Sequence, residues 1–213
     1  MNRTLRGWPS FPDELPDFDT ETTPPTPREL FLEWLDEAGE HVLAPHALTL
    51  STVDAEGMPD ARVVILKDVD GDTWAVATSS ESPKGVQLAK NPHAALTFFW
   101  PGRGRQIRLR GPVAPAAPEV SAADFLARPP ASRVEAFIGR QSRVLEDPAD
   151  LDSAAGDARR WVEENPGVAP ETWTRYLVTP SEVEFWQASH DRRHKRLRYR
   201  RENDAWRKDL LWP

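Results

Sequence analysis

The sequence predicts a β-rich α+β chain, a small antiparallel barrel with peripheral helices, and three observations lead there. Turn signals recur at roughly ten-residue spacing between β-branched or aromatic runs, as in hairpins. Helical patterns are inserted between strands without regular alternation. No G-x-G-x-x-G follows a strand, which argues against a parallel dinucleotide-binding sheet.

Residues 1–25 read as a flexible N-terminal arm. Pro9, Pro12, Pro16, Pro24 and Pro25 and five acidic residues leave few apolar groups to offset its ordering, with Trp8 and Phe11 as the groups able to dock. Residues 26–213 then form one domain. A helix starts at Thr26: threonine caps it, Pro27 suits its first turn and Glu29 completes a capping box. Leu30, Phe31, Trp34, Leu35 and Ala38 give it one apolar face, and Gly39 marks its end. Three strands follow as a meander, Ala47–Val53, Arg62–Lys67 and Trp74–Thr78, with turns at Asp54–Gly57 and Asp70-Gly71-Asp72. Ser82-Pro83 opens a short helix that runs to Ala89 and stops at Asn91-Pro92. His93–Trp100 and Gln106–Val113 pair across the turn Pro101-Gly102-Arg103-Gly104, with Ile107 and Leu109 inward and Arg108 and Arg110 outward. Residues 118–165 are helical in tendency, broken at Pro129-Pro130 and Pro148. Strands return at Tyr176–Val178, Val183–Gln187, Leu197–Arg201 and Trp206–Leu211, the last two joined by a turn at Glu202-Asn203-Asp204.

Composition excludes several functions. With no cysteine there are no disulfides, thiolate metal sites or thiol nucleophiles. The absence of any apolar run of about 18 residues and of a signal-peptide pattern leads us to expect a cytoplasmic protein with no membrane partner. A formal net charge of −7 argues against nucleic acid as the main partner. The charge is uneven, however: residues 190–208 hold nine Lys/Arg against three Asp/Glu, which suggests a local anion site. His41, His46, His93, His190 and His194 are scattered without metal-ligand spacing, so no metal is expected. A serine hydrolase finds no G-x-S-x-G elbow.

Four segments carry candidate chemistry. Arg62-Val63-Val64-Ile65-Leu66-Lys67 places a cation at each end of an apolar strand, on opposite faces if the alternation is regular. Thr78 to Lys84 runs from a strand through a hydroxyl-rich turn to a helix start, a junction that offers N–H groups, hydroxyls and a lysine to a phosphate. Arg128, Ser132, Gln141 and Ser142 add groups that read phosphate or carboxylate. In the fourth segment Glu184-Phe185-Trp186-Gln187 precedes Arg192, His194 and Arg196. An extended chain puts these last three on one face, suited to an anionic aromatic ligand and to proton handling.

Taken in order, these segments resemble the pyridoxine/pyridoxamine 5′-phosphate oxidases from about Ala47 to Pro213. The most specific stretch runs from Val183-Glu184-Phe185-Trp186-Gln187 through Arg192-x-His194-x-Arg196 and Tyr199 to Trp206, Leu211 and Pro213. The resemblance implies an FMN-binding split barrel and a homodimer with FMN at the subunit interface, the strand pair in 183–213 completing the site. Flavin contacts would fall to Arg62, Val63, Val64, Lys67, Ala77, Thr78, Lys84, Gln106, Gln141, Ser142, Trp186 and Arg196. Substrate contacts would fall to Lys67, Arg128, Ser132, Arg192 and His194, the last two also catalytic. It implies hydride transfer from substrate to flavin, reoxidation by dioxygen and release of hydrogen peroxide.

Two positions depart from the family pattern. Asp124 stands where a tyrosine usually helps bind the substrate phosphate, and Pro83 stands where an arginine usually precedes the lysine matching Lys84. The resemblance therefore leaves two substrates open. One is pyridoxine or pyridoxamine 5′-phosphate. The other is a reduced polycyclic carboxylate, as in the related phenazine-biosynthesis flavin oxidases, whose pattern residues 82–92 and 191–199 share. A flavin-binding protein without catalysis is the third alternative, and the Arg192/His194 pair argues against it.

Overall fold

Thr26 caps the first helix, α1 (Pro27–His41), in a computed structural model that describes residues 7–213. The capping box forms as expected: the Glu29 N–H donates to the Thr26 hydroxyl, and the Thr26 N–H donates to the Glu29 carboxylate. Its apolar face buries Phe31 against Trp74 and Phe98, with ring centroids 5.7 and 5.0 Å apart. Full burial of Phe31 alone is worth roughly 1.5–3 kcal/mol.

Six strands close a barrel in the order β1-β2-β3-β6-β5-β4. They are β1 (Ala47–Val53), β2 (Pro59–Asp70), β3 (Thr73–Ser79), β4 (His93–Trp100), β5 (Arg105–Pro115) and β6 (Trp173–Val178), and β4 pairs with β1 to complete the ring. Every pairing is antiparallel. The far half of β5 also pairs with β7 (Glu182–Gln187), which continues the sheet to β8 (Lys195–Glu202) and β9 (Ala205–Leu210). The expected alternation on β5 holds: Ile107 and Leu109 are buried while Arg108 and Arg110 are exposed. Leu48, Leu50, Leu96, Phe98, Val178 and Phe185 fill the interior with them.

Among the described residues four further α-helices stand at the periphery: α2 (Pro83–Lys90), α3 (Pro118–Leu126), α4 (Pro130–Ile138) and α5 (Pro148–Glu164). Each begins with a proline in its first turn, where the missing N–H costs nothing. None is long and apolar enough to cross a membrane.

Three expectations need correction. First, β2 is not regular: Leu66 pairs with Val76 but Asp68 with Ala75, so Lys67 is the extra residue of a β-bulge and strict alternation does not fix its direction. Second, residues 7–25 lie along the body rather than apart from it, because they supply what composition hid. Phe18 is buried against Trp34, Pro24 accepts from the Tyr199 hydroxyl, and Asp17 pairs with Lys195. Residues 1–6 of the expected arm fall outside the described residues. Third, Arg192 is not part of an extended run. It sits in a turn with φ +67°, ahead of β8, so the one-face spacing reaches only His194 and Arg196.

Candidate functional site

The first group of candidate residues gathers where β2 and β3 meet the start of α2. Ser82 caps α2, its hydroxyl accepting from Gly85 N–H, and Gly85 leaves no room for a side chain. A Cβ there would stand 2.5 Å from the Ser79 carbonyl and 2.6 Å from that of Ser80. This close approach folds the turn tightly over Thr78, whose hydroxyl lies 3.3 Å from that of Ser82. Lys84 turns inward and is only 7% exposed, and its ammonium donates to Gln141 at 3.1 Å. No carboxylate among the described residues pairs with it directly. Burial, then the Arg62 charge, lowers its pKa, with Asp60 opposing. Arg62 itself is engaged: Asp60 pairs with it, and it donates to Thr52 Oγ1 at 2.6 Å and Gln87 Oε1 at 3.1 Å. Two cations thus share one partly desolvated place with a single acid between them, the charge balance of an anion site. Ser142 lies beside Gln141 with φ +67°.

Next to this turn lies a second set. Trp173 stands opposite Ser79 across the β3–β6 ladder, and its indole N–H donates to Asp124 at 2.9 Å. The other oxygen of Asp124 faces the Lys67 ammonium at 3.8 Å. Arg128 stacks over the Trp173 ring at 4.2 Å, and burial lowers its pKa against the pull of Glu135 and Asp124. Its Nη1 is enclosed without an acceptor. Ser132 lies in the first turn of the adjoining α4, Ala77 is half-buried on β3, and Val64 packs against the core beside the fully outward Val63.

The third set is on the sheet's outer face. Gln106 pairs with Trp186 across β5–β7, and Trp186 with Arg196 across β7–β8. The His194 ring lies 4.8 Å from that of Trp186. Its Nδ1 accepts the Ser189 backbone N–H at 3.0 Å, which assigns the neutral ring its proton on Nε2, the side away from that bond. Arg192 remains exposed in its turn. No hydrogen bond or ion pair among the described residues joins this wall to the Lys84 and Asp124 sets.

Glu184 supports the wall and was not among the expected site residues, though it stands inside the motif. Its carboxylate is 4% exposed, with Arg196 Nε at 2.8 Å and Arg108 on its other oxygen. Burial pushes its pKa up, but hydrogen bonds and charge from the two arginines outweigh this and hold it below the ordinary value. Its stabilising contribution is therefore present at neutral pH and lost as pH falls through the lowered pKa. Glu184→Gln is expected to cost about 1–3 kcal/mol in urea unfolding at pH 7, less than a fully buried pair because both arginines keep some solvent. The gap between variant and wild type should close as the pH falls below the ordinary glutamate range.

Sequence reasoning also missed Trp173, Asp60 and Gln87. The β6 run was read from Tyr176, three residues late, although an aromatic ahead of a β run was the available signal. The other two emerge only when α2 folds onto β2.

β2 and β4, which flank β1, carry exposed apolar side chains, with Val63 69%, Ile65 42% and Phe99 53% exposed. Trp212 and Leu210 at the C-terminus are exposed as well. Exposed apolar side chains of this size suit an association face.

Comparison with known proteins gives concordant matches. Residues 35–187 match the family model described as pyridoxamine 5′-phosphate oxidase, and residues 173–213 match that of the pyridoxine 5′-phosphate oxidase C-terminal dimerisation region. The chain is 39% identical over 193 residues to the pyridoxine/pyridoxamine 5′-phosphate oxidase of Pseudomonas paraeruginosa, covering 89% of this chain and 90% of that one. Among solved structures it resembles PhzG from Burkholderia lata 383, determined in complex with tetrahydrophenazine-1-carboxylic acid. The TM-score is 0.85 at 29% identity, over 93% of this chain and 99% of the other. A pyridoxamine 5′-phosphate oxidase-related, FMN-binding protein of Nostoc punctiforme shares the fold, with TM-score 0.73, 16% identity and coverage of 88% and 98%.

Proposed function

Because the chain belongs to the pyridoxamine 5′-phosphate oxidase family, an FMN-dependent oxidase family, we propose that it takes a hydride from a small ring-shaped substrate bearing an acidic group. The observation that carries this reading is the buried Lys84 ammonium, which shares its place with Arg62 and meets no carboxylate directly. That donor set fits a flavin phosphate: Thr78, Lys84, Gln141 and Ser142 would hold it, with Arg62 behind them and Val63, Val64, Lys67 and Ala77 along the adjoining strands. Bound FMN would accept the hydride and pass its electrons to dioxygen, giving hydrogen peroxide.

The remaining work falls to this chain's own side chains. Gln106, Trp186 and Arg196 would border the flavin ring, and His194 would present its Nε2 proton to the substrate. Arg192 would close from its turn over the substrate's anionic edge, with Arg128 and Ser132 at its acidic end. Since no hydrogen bond or ion pair among the described residues joins the two halves within one chain, each site would draw them from two copies, which the dimerisation region and the exposed apolar side chains of β2 and β4 support.

The names of the curated relatives support pyridoxine or pyridoxamine 5′-phosphate as substrate. A second reading, a reduced polycyclic carboxylate, is favoured by the Asp124–Lys67 pair and by the ligand of the Burkholderia lata protein. The test is peroxide production by the FMN-supplemented protein with a panel spanning both classes. Substrate-dependent peroxide that requires FMN supports the proposal; none with either class, and no retained flavin, overturns it.

A further inference from the structure

If the substrate's acidic end meets Lys67, Arg128 and Ser132, as proposed above, Asp124 lies in the same subsite. Its side chain is 9% exposed and held on two sides, by the Trp173 N–H at 2.9 Å and the Lys67 ammonium at 3.8 Å. Trp173 sits on β6 opposite Ser79, so the carboxylate is pinned to the strands that carry the Lys84 turn. The formal charges of Lys67, Asp124 and Arg128 are +1, −1 and +1, leaving one positive charge. Arg128 carries it, stacked on Trp173, with Nη1 enclosed and lacking an acceptor. Glu135 also faces Arg128, but from an exposed position on α4.

We propose that Asp124 is the specificity-determining residue of this oxidase, and that by neutralising Lys67 it makes the subsite take a ring carboxylate in preference to a phosphate monoester. A carboxylate is a planar monoanion. It needs one counter-charge and matches the flat fork of a guanidinium, whose enclosed N–H would gain its missing acceptor. A phosphate monoester carries close to two negative charges at neutral pH and needs two cations. Here Lys67 is already paired, and the phosphate oxygens would meet the Asp124 carboxylate as a like charge in poorly solvated surroundings. Preference by charge count of this kind works through the repulsive element as much as the attractive one.

Calorimetry on the FMN-supplemented protein tests this, with two ligands that cannot be oxidised at the relevant carbon: 4-deoxypyridoxine 5′-phosphate and 1-naphthoate. Wild type is expected to bind the naphthoate more tightly. Asp124→Asn, which keeps an oxygen for the Trp173 N–H, should strengthen phosphate-ester binding about tenfold, the effect of removing one like charge near a partly screened site, and change naphthoate binding less than threefold. Asp124→Ser should shift the preference in the same direction. A wild-type preference for the phosphate ester, or equal losses for both ligands in the variants, overturns the proposal. Flavin retention is read separately by absorbance. Its failure in the wild type counts against the cofactor assignment, whereas the heats decide the role of Asp124 without a flavin signal.

Discussion

Lys84→Met is expected to weaken FMN binding by about 2–4 kcal/mol, roughly 30- to 1,000-fold, while leaving the flavin-free fold as stable as wild type or more so. Methionine keeps the apolar stem and removes only the ammonium. In the flavin-free protein that ammonium is a liability: it is 7% exposed, holds one hydrogen bond to Gln141, and lies beside Arg62 without a carboxylate of its own. Burial and the Arg62 charge lower its pKa from the ordinary 10.5. The unfolded chain therefore binds this proton more strongly than the folded one, and wild-type stability gains as pH rises through the lowered value. Any stability advantage of the Met variant should shrink over the same range. Fluorescence titration with FMN and thermal melts of the flavin-free protein across that pH range check both halves. Unchanged FMN affinity would remove Lys84 from the cofactor site.

His194→Ala should slow turnover about 100-fold, within the usual range for a positioned proton-handling group, and leave FMN affinity within threefold. The imidazole is oriented by two contacts, the Ser189 N–H on Nδ1 and the Trp186 ring at 4.8 Å. Neither contact involves the Lys84 turn, so flavin phosphate binding should not register the loss. Anaerobic single-turnover reduction of the flavin isolates the step. A wild-type rate of flavin reduction in the variant would show that the ring serves the wall and not the reaction.

The barrel was legible because its turns are written in local chemistry. Asp70-Gly71-Asp72 and Pro101–Gly104 announce their hairpins, and Gly71 and Gly104 adopt the left-handed conformation such turns need. The Thr26 capping box and the prolines opening the later helices set where those elements begin to within a residue or two, but α4 ends at Ile138, well short of the expected break at Pro148. What escaped was what three-dimensional proximity creates. The bulge at Lys67 has no local signature, since Leu66 and Asp68 read as ordinary strand residues. The docking of residues 7–25 depends on Phe18 meeting Trp34 and on Asp17 meeting Lys195, partners far away in sequence. The positive φ of Arg192 interrupts a spacing that looked continuous on paper.

The candidate site was legible as a list of residues but not as an arrangement. Lys84 and Gln141 were both named, and their hydrogen bond brings together two positions far apart in the chain. Lys67 and Asp124 were named for opposite reasons, the one as a flavin and substrate contact and the other as a departure from the family pattern. Their pairing makes both a single electrostatic unit. The lack of any hydrogen bond or ion pair between the Trp186 wall and the Lys84 turn could not be read from order along the chain, and in the proposed function it is why a second copy would be required.

That requirement is most directly tested by native mass spectrometry of the purified protein supplemented with FMN. A species of two chains carrying two FMN molecules is expected, with loss of flavin whenever the pair is driven apart. A single chain that holds FMN by itself, or a pair that holds none, would contradict it.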